Sequence, residues 1–261
     1  MSNVGVVGLG AMGSGMAGSL RRHGYQVCVC DARPGAAEAF AAKGGIACAT
    51  PAEVAGQCEV IVSVVVNAQQ TEAVLFGPSG AAAAMAPGSV FVMCSTVDPN
   101  WSIAQEARLE AMQLHYLDAP ISGGAARAAS GEMTMMTAGK PEAYAHCGEV
   151  LGAMAANVYR LGDRAGNGSK VKIINQLLAG VHIAAAAEAM ALGLRVGVDA
   201  AALYEVITHS AGNSWMFENR MAHVLKGDYT PLSAVDIFVK DLGLVLDTAR
   251  ASRFPLPLAR T

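Results

Sequence analysis

The first half of the chain alternates short apolar runs with alanine-rich segments of helical character. Five runs are rich in β-branched residues and have the length of buried strands. They are Val4–Val7, Gln26–Cys30, Val60–Val66, Val90–Cys94 and His115–Asp118. Helical patterns such as Pro34–Ala42 and Asn100–Met112 separate the runs. Strands that alternate with helices in this way predict an α/β fold with a doubly wound parallel sheet.

Two further apolar runs follow, Met133–Ala138 and Asn157–Arg160, on either side of another helical pattern. We expect both runs to extend the sheet to one edge. A glycine-rich break at Gly162–Gly168 then interrupts the alternation of strands and helices. The sequence therefore predicts two domains, residues 1–163 and residues 164–261, with the sheet in the first.

From Ser169 onward, the spacing of the apolar positions is helical. The segment Ser169–Val196 contains no proline and many alanines. It predicts one helix of about 28 residues, roughly 42 Å long, which can join two domains. Three further helices are expected, at Asp199–Ser210, Trp215–Lys226 and Val235–Ser252. We therefore expect a C-terminal all-helical domain joined to the sheet domain by a long interdomain helix.

The composition narrows the choice of partners. The chain has 53% hydrophobic residues, 15% charged residues, a net charge of −3 and no run of Lys or Arg. These values favour a well-filled core and give no support for nucleic acid or an anionic membrane as a partner. The most apolar helical stretch, Val181–Leu194, is too short to cross a bilayer, and the N-terminus lacks a signal-peptide pattern. We therefore expect a cytoplasmic protein.

The six cysteines do not form a metal-binding pattern. They lie at positions 28, 30, 48, 58, 94 and 147, mostly in apolar runs. Cys28 and Cys30 would share one face of a strand, but no second pair completes a zinc site. The sequence predicts buried free thiols and no metal.

A glycine fingerprint directly follows the first apolar run and opens a helical pattern at Met12–Leu20. Its residues are Gly8, Leu9, Gly10, Ala11, Met12 and Gly13. In such a GxGxxG loop, Gly8 allows a tight turn, Gly10 lets the backbone approach a pyrophosphate, and Gly13 allows close packing of helix on strand. The helix N-terminus offers amide donors to the phosphates. The loop therefore predicts a Rossmann-type dinucleotide site; a glycine turn in another doubly wound domain is the alternative.

Asp31 bears on the choice of dinucleotide. It ends the second apolar run at the spacing expected of a carboxylate that binds the adenosine ribose. A carboxylate there would repel the additional phosphate of NADP, so we expect NAD as the cofactor, with NADP as the lesser alternative. Arg33 could stack on the adenine, bind a 2′-phosphate or simply be solvated.

Lys172 is the candidate for the chemistry. It lies in the first turns of the predicted interdomain helix, facing the crevice at the carboxyl ends of the strands, where a doubly wound sheet binds its ligand. Asn175 and Gln176 share its face of the helix. A lysine that burial keeps neutral can accept the hydroxyl proton while a hydride leaves the carbon. Lys170 competes for this role but points elsewhere on the helix, and a solvated Lys172 is the alternative.

Four segments are similar in order and context to the β-hydroxyacid dehydrogenase family, and the similarity covers essentially the whole chain. They are Gly8–Gly13, Asp118–Gly124, Gly166–Asn175 and Lys240–Asp241. The resemblance implies an NAD-dependent dehydrogenase with a small hydroxy acid as its substrate. It also implies that Lys172 is the catalytic acid/base, that Ser122, Gly123 and Gly124 bind the substrate carboxylate, that Asn175 orients the substrate, and that Thr96 and Lys240 contact the cofactor.

The physical chemistry of the Ser122–Gly124 segment agrees with that assignment. A hydroxyl group and unobstructed backbone amides form an anion-binding concavity. A simple surface turn is the alternative. We expect this segment to hold a carboxylate.

Within the family, Ser210–Arg220 and Ala234–Asp241 look most like the L-threonate dehydrogenase branch. Asn213, Ser214 and Asn219 could bond the additional hydroxyls of a four-carbon sugar acid; alternatively, Asn213 and Ser214 only cap the next helix. A tartronate-semialdehyde reductase or a 3-hydroxyisobutyrate dehydrogenase would share the same catalytic residues. A catalytically silent, NAD-binding interaction protein is the alternative outside enzymes.

Two features depart from the family pattern. Gln176 stands where many relatives have a second asparagine, and the chain ends at Thr261, where we expect relatives to continue with further C-terminal helix. A stripe of small residues on the long helix would also let another helix approach closely. It consists of Gly180, Ala184, Ala187 and Ala191. Packing within the chain is the default explanation of the stripe, and a homodimer or homotetramer is the expected assembly.

Overall fold

The computed structural model describes residues 3–230 and 235–259. The chain divides into two compact units, Met1–Lys172 and Ile173–Thr261, and the division falls inside one long helix. The sequence places the domain boundary at residue 163, in the loop that precedes this helix.

The first unit contains a six-stranded parallel sheet. Its strands are β1 (Asn3–Val7), β2 (Gln26–Cys30), β3 (Ile46–Ala47), β4 (Val60–Ser63), β5 (Val90–Met93) and β6 (His115–Asp118). They lie in the order β3-β2-β1-β4-β5-β6, so the strand order reverses between β1 and β4. The predicted doubly wound sheet is confirmed. The two residues of β3 are too few to give a periodic signal in the sequence.

The strands are apolar throughout because both faces of the sheet are covered. Val4 pairs with Val27 of β2 and with Val60 of β4. Adjacent residues then enter two separate apolar clusters, Val6 on one side and Val7 on the other. A strand buried on both faces reads as a continuous apolar run instead of an alternating one.

Among the described residues, seven helices lie wholly within the first unit. They are α1 (Ala11–Arg22), α2 (Ala36–Ala41), α3 (Pro51–Ala55), α4 (Ala68–Phe76), α5 (Pro99–Glu110), α6 (Gly124–Ser130) and α7 (Pro141–Gly152). Thr50, Asn67 and Asp98 cap α3, α4 and α5 by accepting hydrogen bonds from backbone amides of the first turn. A proline at the first helical position accompanies the start of α3, α5 and α7, where its missing N–H has no cost.

A second, three-stranded sheet belongs to the same unit. It consists of β7 (Ile121–Ser122), β8 (Met133–Thr137) and β9 (Ala155–Arg160), with β7 antiparallel and β9 parallel to β8. The expectation that these runs extend the main sheet was wrong. After β6 the chain turns at Pro120 into β7, which pairs with β8, and a bridge between Asp118 and Ala138 connects the two sheets. Periodicity identifies a strand but not its partner.

The helical region begins with α8. Its elements are α8 (Asn167–Arg195), α9 (Ala200–Thr208), α10 (Trp215–Leu225), α11 (Asp236–Ala251) and a short 3₁₀ helix at Pro257–Ala259. The predicted long helix followed by an all-helical region is confirmed. Ala234, which opens one of the family-like segments, and Thr261 lie outside the described residues.

The second unit has a small core of its own, in which Ala186 and Met190 of α8 pack with Phe217 and Met221 of α10. A Cβ atom on Gly180 would lie 2.9 Å from the side chain of Leu242, so α11 approaches α8 closely at that point. Packing within the chain therefore explains Gly180. The other members of the stripe, Ala184, Ala187 and Ala191, are exposed.

The length argument against a membrane-spanning helix does not hold. By length and composition, the 29 residues of α8 are enough to cross a membrane, because the helix extends well beyond the apolar stretch Val181–Leu194. Core helices of water-soluble proteins meet the same criterion, so it does not decide between the two environments.

All six cysteines are buried free thiols, as predicted. Burial raises the pKa of Cys48 to about 11 and that of Cys147 to about 12. Both thiols therefore stay protonated at neutral pH, and their role is to fill the core.

Candidate active site

A cavity of about 520 Å³ opens where β1, β2 and β4 end. Its walls include Gly8 and Gly10 of the fingerprint loop, Asp31 and Arg33 after β2, and residues 64–66 after β4. The sequence predicts that the β4 strand continues through Val66, but it ends at Ser63 and the three valines line this cavity. The cavity lies at the reversal of strand order, where an open parallel sheet binds its ligand.

The three glycines of the fingerprint have different surroundings. Gly8 has a φ of 96°, and a Cβ atom on it would lie 2.5 Å from the carbonyl oxygen of Val64. A Cβ on Gly13 would lie 1.8 Å from the carbonyl oxygen of Gly8, whereas one on Gly10 would meet no atom within 4 Å. Gly8 and Gly13 thus allow close backbone packing, and Gly10 leaves the loop open. This cradle fits the pyrophosphate of a dinucleotide.

Asp31 is bound to the fingerprint loop itself. Its Oδ2 accepts a hydrogen bond of 2.6 Å from the backbone amide of Leu9. Arg33 donates to Oδ1 of Asp31 through Nε at 2.9 Å and to the carbonyl oxygen of Leu9 through Nη2 at 2.8 Å. The side chain of Arg33 is 63% exposed, so it is solvated as one alternative expected, and its hydrogen bonds also join Asp31 to the loop.

The same contacts set the charge of Asp31. Partial burial raises the pKa of this carboxyl, but the hydrogen bonds from Arg33 and Leu9 outweigh burial, and the pKa lies below its usual value. A lowered folded-state pKa means that the ionised group stabilises the fold above the unfolded pKa, and that this contribution is lost as the pH falls through the folded value. At neutral pH the cavity therefore contains a carboxylate, which can accept hydrogen bonds from ribose hydroxyls and repels a 2′-phosphate.

We expect Asp31→Ala to raise the KM for NAD by about 10-fold to 100-fold, the range that corresponds to losing one hydrogen bond to a charged group. The KM for NADP should stay constant or fall, because the repulsive charge is gone. Arg33→Ala keeps the carboxylate but removes one of its anchors, so it should raise the KM for NAD less than Asp31→Ala does. Steady-state kinetics with both coenzymes measures this, and equal changes for NAD and NADP in Asp31→Ala would refute the role of the carboxylate.

The predicted carboxylate-binding segment forms a tight bend between β7 and α6. Ser122 pairs with Thr134 of β8. Gly123 and Gly124 follow with φ values of 140° and 76°, conformations that L side chains rarely adopt. A Cβ on Gly124 would meet no atom within 4 Å. The half-buried bend thus combines a hydroxyl with accessible backbone amides, as an anion-binding concavity requires.

The hydroxyls of Ser95 and Thr96, after β5, differ in their surroundings. Ser95 is buried, and its Oγ donates to the carbonyl oxygen of Val65 at 2.8 Å and contacts the hydroxyl of Thr71 at 3.0 Å. It therefore connects the loops that follow β4 and β5. Thr96 is half-buried, and its contact with the cofactor, which the family resemblance implies, remains a prediction.

The two lysines at the start of α8 are clearly distinguished by burial. Lys172 is 7% exposed, whereas Lys170 is exposed to solvent. The alternative of a solvated Lys172 is thereby contradicted. The first turn of α8 is attached to the end of β6, since Asp118 accepts hydrogen bonds from the amides of Gly166 and Ser169. Lys172 lies one turn beyond this attachment.

In the second unit, a chain of polar side chains joins two residues that the sequence selects. Asn175 donates to Oε1 of Gln176 at 3.1 Å, and Gln176 donates to Oδ2 of Asp241 at 2.6 Å. The ammonium of Lys240 lies 2.8 Å from Oδ1 of Asp241. Asp241 is only 1% exposed, and a buried carboxylate needs partners. Lys240 and Gln176 are these partners.

Asp118 and Asp241 are buried carboxylates of this region for which the sequence predicted no role. A signal existed for both, since Asp118 is a charged residue at the end of the buried strand β6, and Asp241 lies at helical spacing from the buried Val245 and Ala249 of α11. Buried carboxylates need partners, so an aspartate that ends a buried strand, or lies on the inner face of a helix, indicates a polar contact that the pattern does not identify.

The cap alternative proposed for the α9–α10 loop is confirmed for Ser214, whose Oγ accepts a hydrogen bond from the amide of Phe217. Asn213 donates to the carbonyl oxygen of Thr208 at 3.1 Å. Among the described residues, its buried Oδ1 has no hydrogen-bond partner. A role for Asn213 in binding a substrate hydroxyl remains a prediction.

Comparison with known proteins agrees with this arrangement. Residues 3–162 match the family described as the NAD binding domain of 6-phosphogluconate dehydrogenase. Residues 166–261 match the family described as NAD-binding of NADP-dependent 3-hydroxyisobutyrate dehydrogenase. Together the two families cover nearly the whole chain.

Three similar proteins cover almost all of the chain as well. L-threonate dehydrogenase from Cupriavidus necator is 68% identical over 98% of this chain and 86% of its own length. L-threonate dehydrogenase from Escherichia coli K12 is 50% identical over 99% of this chain and 86% of its own length. A crystal structure of 3-hydroxyisobutyrate dehydrogenase from Salmonella typhimurium superposes with a TM-score of 0.94 at 54% identity, covering 100% of this chain and 91% of that one.

The fingerprint cavity, the family matches and these relatives lead to the same assignment. The chain belongs to the β-hydroxyacid dehydrogenase family of NAD-dependent oxidoreductases, in the branch that contains the L-threonate dehydrogenases.

Proposed function

We propose that this protein oxidises L-threonate to its 2-oxo acid, with Lys172 as the general base and NAD as the hydride acceptor. The observation that carries the proposal is the burial of Lys172 on the first turns of α8, one turn beyond the attachment of this helix to the end of β6. Its neighbour Lys170 is exposed. A lysine that is kept from solvent at the carboxyl end of a doubly wound sheet is suited to proton transfer.

Each group of the site has a distinct task. Ser122 and the amides of Gly123 and Gly124 bind the substrate carboxylate, which fixes the carbon next to it. Lys172 accepts the proton of the hydroxyl on that carbon, Asn175 orients the same hydroxyl, and the C–O bond becomes a carbonyl. NAD supplies the acceptor for the hydride when it is bound. In the reverse direction, the ammonium of Lys172 returns the proton to the developing alkoxide.

The names of the relatives support the choice of substrate. The two sequence relatives at 68% and 50% identity are named L-threonate dehydrogenase, whereas the crystal structure at 54% identity is named 3-hydroxyisobutyrate dehydrogenase. The two substrates share a carboxylate and a hydroxyl but differ in the number of additional hydroxyls. A site that hydrogen-bonds those hydroxyls strongly rejects an analogue that lacks them.

A substrate panel tests this proposal. We expect kcat/KM for L-threonate to exceed that for 3-hydroxyisobutyrate by about 100-fold or more, because unpaired polar groups in a site penalise the less hydroxylated substrate. Glycerate, which has one hydroxyl fewer, should fall between them. The assay follows NADH formation, with each substrate also tested on NADP.

Two outcomes would contradict the proposal in different ways. A higher kcat/KM for 3-hydroxyisobutyrate or glycerate would keep the dehydrogenase assignment and replace the substrate. Binding of NAD without turnover of any hydroxy acid would favour the alternative of a silent interaction protein.

The proposal includes the cell compartment and the assembly. Six free thiols are compatible with the reducing cytoplasm, where an NAD-linked dehydrogenase of small metabolites would act. Side chains such as Leu178, Leu192 and Leu194 of α8 are more than half exposed. Exposed apolar residues of this kind support the expected homodimer or homotetramer.

A further inference from the structure

The residue before α8 is Gly166, which has no side chain that could cap the helix. The side chain of Asn167, the first helical residue, instead donates to the carbonyl oxygen of Leu161 at 2.9 Å. The first amides of a helix lack partners within the helix, and leaving them unpaired when buried is unfavourable. At this helix the missing acceptor comes from a distant strand.

Asp118 supplies that acceptor from the end of β6. Its Oδ2 accepts the amide of Gly166 at 2.8 Å and the amide of Ser169 at 2.9 Å. Its Oδ1 accepts the hydroxyl of Ser169 at 2.7 Å. One carboxylate therefore satisfies the amide just before the helix and the amide of its third residue, which a capping box would satisfy with two side chains. A negative charge at a helix N-terminus is also electrostatically favourable.

Asp118 is itself held rigidly. It is fully buried, it pairs with Met93 in the main sheet, and its backbone exchanges hydrogen bonds of 3.0 and 2.8 Å with Ala138. The first turn of α8 also lies directly on this platform, because a Cβ on Gly168 would be 2.9 Å from the carbonyl oxygen of Asp118. The carboxylate thus has little freedom to move, and neither has the helix turn that it binds.

Asp118 is linked to two segments with predicted catalytic residues, to one by hydrogen bonds and to the other along the chain. Ser169 and Lys172 are three residues apart, so they share a helix face and are separated by about 4.5 Å along the axis. In the other direction, only three residues of chain separate Asp118 from Ser122. The side-chain contacts of Asp118 therefore fix the start of α8 relative to β7, the strand that leads into the bend at Ser122–Gly124.

We propose that Asp118 is a positioning residue, which fixes the rotation and height of the first turns of α8, up to and including Lys172, so that the amine of Lys172 is aligned for proton transfer. This inference rests on the proposed function of Lys172. Asp118 acts through Ser169 and the helix backbone, without touching the substrate. Displacement of a catalytic group by about 1 Å can cost about 100-fold in rate, so the effect of Asp118 should be on kcat.

The chain offers a conservative variant that separates geometry from charge. In Asp118→Asn, Oδ1 can accept both backbone amides while the side-chain NH₂ donates to the hydroxyl of Ser169. All three contacts are thereby reproduced without the negative charge. Asp118→Ala removes all three, Ser169→Ala removes one, and Asn167→Ala is a control in the same turn that makes no contact with Asp118.

The experiment measures kcat, the KM for L-threonate, NAD affinity and melting temperature for these variants and for Lys172→Ala. Rates are expressed per NAD-binding site, so that unfolded protein does not count. We expect Asp118→Ala to lower kcat by about 100-fold with NAD affinity within about 3-fold of wild type. Asp118→Asn should return kcat to within about 10-fold, Ser169→Ala should lower it by about 5-fold to 10-fold, and Asn167→Ala should have wild-type kcat.

A purely structural role for Asp118 predicts a different result, namely a lower melting temperature with wild-type kcat per NAD-binding site in every Asp118 and Ser169 variant. That result would overturn the inference. If Asp118→Ala fails to fold, wild-type kcat in Ser169→Ala would overturn it as well. The proposed function fails separately, if Lys172→Ala retains wild-type turnover; an inactive Lys172→Ala combined with unaffected Asp118 variants would refute only the positioning role.

Discussion

Lys172→Ala should reduce kcat by about 1,000-fold, within the range that a general acid or base contributes to an enzymatic rate. NAD affinity should stay within about 2-fold of wild type, because Lys172 does not line the fingerprint cavity. The proton of the substrate hydroxyl would then have no acceptor as the hydride leaves. Steady-state kinetics and a direct NAD-binding measurement on the same protein preparation check both parts.

Lys170→Ala is the matched control for this variant. It removes another lysine side chain, two positions earlier in α8, and Lys170 is exposed whereas Lys172 is buried. We expect wild-type kcat and melting temperature for this control. Equal losses in the two variants would indicate a general effect of positive charge at the start of α8, and wild-type turnover in Lys172→Ala would reject the acid/base assignment.

Substitutions in the fingerprint loop should have effects of similar size, through two different causes. In Gly13→Ala, the added methyl would lie 1.8 Å from the carbonyl oxygen of Gly8, so the backbone of the loop or of α1 must move. We expect the free energy of unfolding to fall by about 3 kcal/mol, at the upper end of ordinary overpacking, because the obstacle is backbone. Gly10→Ala meets no protein atom within 4 Å and should fold normally while binding NAD at least about 10-fold more weakly.

Gly18→Ala serves as the control for both glycine variants, since its nearest neighbour is the flexible end of Arg22 at 3.6 Å. It should leave the affinity for NAD unchanged and raise the free energy of unfolding by up to about 1 kcal/mol, the difference in helix propensity between alanine and glycine. Thermal unfolding and NAD titration on the three variants make the comparison. Equal stability of Gly13→Ala and Gly18→Ala would contradict the proposed steric role of Gly13, and wild-type NAD affinity in Gly10→Ala would contradict the proposed role of Gly10 in binding.

The main sheet could be predicted because its strands are buried on both faces and therefore have a simple apolar pattern. The geometry of the fingerprint loop could be predicted for a similar reason, since the steric needs of Gly8 and Gly13 are local to the loop. The second sheet could not be assigned correctly, because the apolar pattern of β8 does not show that its antiparallel partner is β7. Short elements such as β3 contain too few residues for any periodicity.

In the candidate site as well, the sequence identifies single residues but not the partners of their side chains. Lys172 and Asp31 could be selected because their positions follow from a helix start and from a strand end. The roles of Asp118, Gln176 and Asp241 depend on hydrogen bonds between residues 48 to 65 positions apart in the chain. The sequence can indicate that a buried carboxylate needs a partner, but only the fold identifies it.

The most direct test of the account is a single-turnover measurement of NADH formation with L-threonate, in which enzyme exceeds NAD so that product release does not limit the rate. Wild-type enzyme should form NADH in one fast phase. Lys172→Ala should be slower by about the 1,000-fold expected for loss of the base, and a small primary amine added to the solution should partly restore its rate. A first turnover of Lys172→Ala at the wild-type rate would contradict the assignment of Lys172 as the acid/base.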